Sequence, residues 1–147
     1  MGTEISWAVV EDAVLTALKA EVGTLAGTLE SYQGDWRGDL RLKGRRLPAV
    51  LVVLRESRAA PVGVSSYEET LTLTVLVAVR QLRGSPAARR QDGGVYQLLT
   101  GVRRALWHRD LGLEMLPFGL VREEPWLNDP EFAVYAAHYL TRLIRDF

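Results

Sequence analysis

The sequence predicts an α+β domain: a mixed, mainly antiparallel sheet with two helices packed on one face. Three observations predict it. Two segments repeat apolar residues at helical spacing, Val10, Ala13, Val14, Ala17 and Leu18 in the first and Val95, Leu98, Leu99, Val102 and Leu106 in the second. Residues 68–82 alternate as a strand does, with Leu71, Leu73, Val75, Val77 and Val79 on one side and Thr70, Thr72 and Thr74 on the other. Neither helix lies inside a repeating strand–helix–strand series, which separates α+β from a doubly wound α/β sheet.

Taken in order, residues 6–20 form the first helix, with Ser6 placed to cap it and Gly23 to follow its end. Leu29 to Gln33 is a short strand closed by Gly34. Residues 36–46 mix glycine, one tryptophan and five basic residues and read as an exposed hairpin or arm. Pro48 opens Ala49 to Leu54, apolar on both faces and so a central strand. Residues 55–67 read as a polar loop. In the strand at 68–82 the threonine end is expected to be wet on one side, while Leu76 and Ala78 imply cover at the other end. Gly84-Ser85-Pro86 breaks the chain before the second helix at 94–107, where Arg103 and Arg104 face outward. Leu111 to Pro117 leads back to the sheet, and Phe132 to Ile144 is a long terminal strand at or near an edge.

A chain of 147 residues fits one domain, 1–147, and no repeat, low-complexity tract or linker divides it. The absence of cysteine excludes disulfides, thiolate metal sites and cysteine nucleophiles. A net charge of zero argues against whole-domain attraction to nucleic acid or to an anionic membrane. No apolar run approaches the roughly 20 residues that span a bilayer. The first residues lack the basic and apolar regions of a signal peptide, so the expectation is a protein made in the cytoplasm.

The sequence carries few residues arranged for chemistry. His108 and His138 have no carboxylate or histidine at ligand spacing, and no phosphate-binding loop or nucleophile elbow occurs. Adjacent carboxylates such as Glu123 and Glu124 point to opposite faces of a strand, which is wrong for acid–base partnership. The expectation is a protein that is not an enzyme and needs no cofactor or metal. The informative feature is the basic arm. As a solvated loop it does nothing; as a protein interface it offers Trp36 as anchor, with Arg37, Arg41, Lys43, Arg45 and Arg46 around it. Arg89 and Arg90 add a second basic pair before the second helix. With a single aromatic and no wider basic surface, the arm is a poor nucleic-acid site.

Several segments, in this order, resemble the Mu-like phage tail protein family. They are Val10-Glu11-Asp12-Ala13-Val14, Leu29 to Gly34, Leu47-Pro48-Ala49-Val50-Leu51-Val52 and Val75 to Gly84. Ala87-Ala88-Arg89-Arg90, Gly94 to Leu99, Leu111-Gly112-Leu113 and Ala133-Val134-Tyr135-Ala136 complete the set. The arm and the 55–67 segment lie outside these stretches. The resemblance implies a tail-terminator-like fold and a role in tail assembly without catalytic residues. The subunit would form a homo-oligomeric ring, of six, capping the tail tube and docking head or sheath proteins. That implies a place in the virion tail after assembly in the bacterial host cytoplasm. A stand-alone small-ligand-binding or enzymatic α+β domain is the alternative. Two further expectations come from the residues. The arm is mobile in the free subunit, because its cations repel one another. Two helices cover one sheet face and leave part of the second apolar set, Phe132, Val134 and Leu140 among it, for another subunit to cover.

Overall fold

The structure, a computed structural model, describes residues 5–36, 40–81 and 86–146. Helix α1 runs Trp7–Val22, a one-turn helix α2 spans Ala87–Arg90, and α3 spans Val95–Leu106. The strands are β1 Thr28–Ser31, β2 Ala49–Pro61, β3 Ser66–Arg80, β4 Gly119–Asn128 and β5 Phe132–Asp146. They form one mixed sheet in the order β1-β2-β3-β5-β4. β1 and β2 are parallel; every other pair is antiparallel. The predicted fold class is the observed one.

The helix ends follow from local chemistry. Ser6 is extended at the N-cap of α1, and its hydroxyl accepts from the Val9 amide at 3.2 Å, satisfying a donor that the helix cannot. Of the predicted stripes, Val10, Val14 and Leu18 of α1 and Val95, Leu98, Leu99, Val102 and Leu106 of α3 are buried, joined by Val22 and Ala105, while Ala13 and Ala17 are half-buried. They pack on Leu71, Leu73, Val75, Val77 and Val79 of β3 and on Val50 and Val52 of β2. The terminal strand is second from the edge, between β3 and β4.

Four parts of the chain differ from the sequence reading. Residues 55–67 are not a loop. β2 and β3 continue through them in antiparallel register, Glu56 opposite Thr72 and Pro61 opposite Tyr67, with only residues 62–65 left for the turn. The ribbon lies beyond the core, so both faces are polar and no alternation marks it. The strand β4 was not anticipated: it carries Arg122-Glu123-Glu124-Pro125 and two register shifts, at Leu120/Arg122 and Pro125/Leu127, which break any period of two. Charge, proline and bulges are what an edge strand uses to avoid pairing with strangers. Arg89 and Arg90 stand on the short helix α2, an element that was not anticipated. The predicted break at Gly84-Ser85 lies outside the described residues.

The fourth difference concerns the second sheet face. β1 and β2 are parallel neighbours, so the chain must travel from the end of β1 back to the start of β2. Residues 32–48 connect the two strands, and their described parts, 32–36 and 40–48, lie on the face opposite the helices. Tyr32, Trp36 and Leu42 are buried there against Ala49, Leu51 and Val53 of β2, Leu76 and Ala78 of β3, and Val134 and Ala136 of β5. The arm expected to be exposed is therefore a cover with a buried underside. Of the apolar set expected to await another subunit, Val134 is buried within the chain and Phe132 packs against the same cluster, while Leu140 is half-buried. The threonine side of β3 is also less wet than its composition implies, since Thr74 is fully buried.

Candidate functional site

The covered face brings the predicted anchor and the predicted cations together in one segment, with the cations separated into two roles. Trp36 is 8% exposed. Its ring stacks on Trp126 of β4 with centroids 4.8 Å apart, and the Trp126 indole N–H donates to the Trp36 carbonyl at 3.1 Å. The Arg55 guanidinium lies over the Trp36 ring at 5.6 Å. Trp36 thus pins the crossover to its own subunit. Arg45 does the same at the other end. It pairs with Glu30 of β1, donates from Nε to the Arg41 carbonyl at 2.9 Å and lies 5.3 Å over the Tyr32 ring. Cation–aromatic contacts of this sort are worth about 0.5–1 kcal/mol at exposed sites. The Tyr32 hydroxyl also accepts from the Arg41 amide at 3.3 Å. Arg41, Lys43 and Arg46 are exposed on the outside of the cover. Arg37 lies outside the described residues. Arg89 is half-buried and lines a groove with Gln81, Trp126 and Tyr135, while Arg90 is exposed.

Under Trp126 lies a polar row that the sequence reading missed. Thr74 and His138 sit directly opposite each other across β3 and β5. The Thr74 hydroxyl and His138 Nδ1 are 2.8 Å apart, and His138 Nε2 is 2.6 Å from Glu124 Oε2. Glu124 in turn accepts from Arg122 Nε at 2.8 Å. The Trp126 ring meets the imidazole edge to face at 6.3 Å. Hydroxyl, imidazole and carboxylate in a row match a nucleophile-and-base set in composition only. Thr74 is 0% and His138 4% exposed, so the hydroxyl faces protein rather than a substrate. The row ties β3, β5 and β4 together beneath the cover. Its only sequence signal was a threonine and a histidine on the same sheet face, and their meeting depends on register.

Burial pushes the His138 imidazole below its ordinary value, against the pull of Glu124. Arg122 first, then His138, holds the Glu124 carboxyl below the usual carboxylate range. Both groups have folded values lower than unfolded ones, so each adds stability above its unfolded value and loses it as pH falls through the folded one. Thermal unfolding followed from pH 7 downward is expected to show a falling melting temperature below 6.5, steepening below 4.5, the two unperturbed values. His138→Gln is expected to flatten the first part; a melting temperature level from pH 7 to 5 in the unmodified protein would contradict the buried neutral imidazole.

On the helix side, Arg103 of α3 and Glu123 of β4 form a bidentate pair, and the bond to Glu123 raises the guanidinium's affinity for its proton. This clamps α3 over the edge strand. Among the described residues, no three His, Asp or Glu side chains are grouped to hold a metal ion, and no helix is long and apolar enough to cross a membrane.

Residues 6–144 match the family model described as Bacteriophage Mu, Gp37. The chain belongs to that family. The matched span runs from the N-cap of α1 to nearly the end of β5, so it takes in the crossover and the β2–β3 ribbon as well as the core. As a Gp37-family chain the protein is a structural component of a Mu-like phage. No curated protein matches it.

Proposed function

We propose that this chain is a tail terminator: a non-catalytic single-domain subunit that closes into a ring of six on the tail tube and docks the sheath or the head-completion proteins. It acts in the virion tail after assembly in the bacterial host cytoplasm, without cofactor. Family membership across 6–144 supports a structural role, and one observation carries the step to self-association. With the second sheet face covered, the large apolar side chains still exposed include Val62 and Val64 at the ribbon turn, Ile144 at the end of β5, and Trp7 and Trp107 at opposite ends of the two helices. β1 ends opposite Val52, so from Glu56 onward the outer edge of β2 has no strand beside it among the described residues. Such surfaces are a liability for a subunit left in water and are hidden by a contact repeated around an axis. Zero net charge puts little repulsion between identical subunits.

The exposed cations Arg41, Lys43, Arg46 and Arg90 give the cover and α2 a basic exterior suited to an acidic neighbour. Arg45 belongs to the cover's own anchoring. Mass measurement of the purified protein, with electron microscopy of native tails, tests the reading. The expected result is a closed ring, in solution or at one end of the tube. A chain that is monomeric in solution and absent from both ends of native tails overturns it.

A further inference from the structure

The polar row beneath Trp126 has a titrating group at its centre. Thr74 is fully buried and His138 nearly so. Arg122 holds Glu124 ionised, and a carboxylate only accepts, so the proton shared at 2.6 Å belongs to His138 Nε2. Nδ1 is then an acceptor, and the Thr74 hydroxyl donates to it at 2.8 Å. Every hydrogen of the row has a place while the imidazole is neutral.

A second proton on the ring upsets this arrangement twice. Both nitrogens become donors, so Thr74 Oγ1 must accept, and its own hydrogen loses its acceptor in a site closed to water. The new charge also meets more cations than anions. Glu124 and Arg122 face the ring from β4 and Arg55 from β2, while β3 offers only the neutral Thr74. The segment 32–48 carries five basic residues against Asp35 and Asp39, so it brings no net negative charge to the site.

The elements around the row are held unequally. β3 and β5 are paired without interruption from Ser66↔Asp146 to Arg80↔Phe132, and their other face carries the helical core. The cover is thin and rests on Tyr32, Trp36 and Leu42. Trp126 joins it to the row: its ring meets the imidazole, stacks on Trp36 and donates its N–H to the Trp36 carbonyl. Lifting the cover is the shortest way to bring water to the charge. We propose that uptake of a proton by His138 releases the cover, 32–36 and 40–48, from the sheet while the helix side stays folded. Burial holds the imidazole below its ordinary value in the closed form, and opening restores that value. The closed form is therefore favoured in full above 6.5 and loses that advantage as pH falls through the closed-form value. Arg41, Lys43 and Arg46 stand on the outside of the cover, so its release also takes apart the basic exterior described above.

Hydrogen exchange read by mass spectrometry, corrected for the intrinsic pH dependence of exchange, tests this on the subunit, independently of the ring reading. Between pH 6.5 and one unit below it, protection of 32–36 and 40–48 is expected to fall by about tenfold. These amides are expected to go on exchanging faster than those of α1 and α3. His138→Gln, whose amide can accept from Thr74 and donate to Glu124 without titrating, is expected to abolish the fall. Should that variant not fold, the imidazole of the unmodified protein is titrated by NMR, where His108 gives the one other signal of its kind. The His138 midpoint is expected to coincide with the loss of protection in the cover. Protection that is level with pH, or that falls equally in His138→Gln, overturns the proposal. So does a His138 titration that leaves the cover unchanged, or a cover and helices that lose protection together at one rate, which is global unfolding.

Discussion

Replacing Trp36 with alanine is expected to cost about 3–5 kcal/mol, the range for removing a large buried aromatic. For a chain of 147 residues that corresponds to a fall in melting temperature of roughly 10 °C or more. The reason lies in the topology. The parallel pairing of β1 with β2 requires a crossover, whose described residues 32–36 and 40–48 lie on the second sheet face, and Trp36 holds it down. Removing its ring leaves the Trp126 face without its stacking partner, opens a void over Leu51, Leu76 and Ala136, and wets the Thr74–His138–Glu124 row beneath Trp126. Burial of an aromatic side chain accounts for most of the loss, and the offset stacking adds about 0.5–1.5 kcal/mol. A chemical denaturation series on Trp36→Ala and Trp36→Phe checks it, with phenylalanine expected to recover about half. A loss below roughly 0.5 kcal/mol, the usual effect of a surface substitution, would mean that the segment is only a solvated loop. Lys43→Ser on the same segment is the control, because its side chain is exposed.

What the sequence made legible follows from where each element sits. The helices announced themselves because each buries one stripe and wets the other, so Val10, Val14 and Leu18, or Leu98, Val102 and Ala105, stand out at helical spacing. The inner half of β3 did so because its two faces meet different surroundings, a helical core on the odd residues and a thin cover on the even ones. Periodicity fails where both faces meet the same medium. The ribbon at 55–61 and 66–70 is largely in water, and a strand with two wet faces has no alternation to read. The strand β4 fails for another reason, since its bulges reset the phase twice within ten residues. The crossover was misread through composition. Its five cations draw the eye, yet Tyr32, Trp36 and Leu42, spaced irregularly, are the residues buried against the sheet. The missing fact was the direction of β1. Had its parallel pairing been known, a chain segment across the second face would have followed of necessity. The polar row needed more still, because Thr74, His138 and Glu124 meet only through the registers of two strand pairs. The proposed interface cations are the reverse case: composition found them, and the structure divides them into Arg45, which serves the fold, and Arg41, Lys43 and Arg46, which face outward.

Gly101→Ala is expected to destabilise the protein by about 1–3 kcal/mol, although alanine is the better helix former by about 1 kcal/mol. The sign is what makes this informative. Gly101 lies in the middle of α3, where an unconstrained glycine should gain from the change. A Cβ built there falls 2.3 Å from Cγ1 of Val22, which is fully buried at the end of α1. The two helices cross at that point, and the missing side chain is what lets them approach. Val22 has a β-branched side chain in a helix, with one strongly preferred rotamer, so it cannot swing away and α1 must shift as a body. Val22→Ala alone leaves a cavity and is also destabilising. Combined with Gly101→Ala, it makes room for the new methyl, which then fills part of the space that Val22 vacates. The double variant is therefore expected to lose at least about 1 kcal/mol less than the sum of the singles, as residues in direct contact do. Additivity within roughly 0.5 kcal/mol would show that the crossing tolerates the extra carbon.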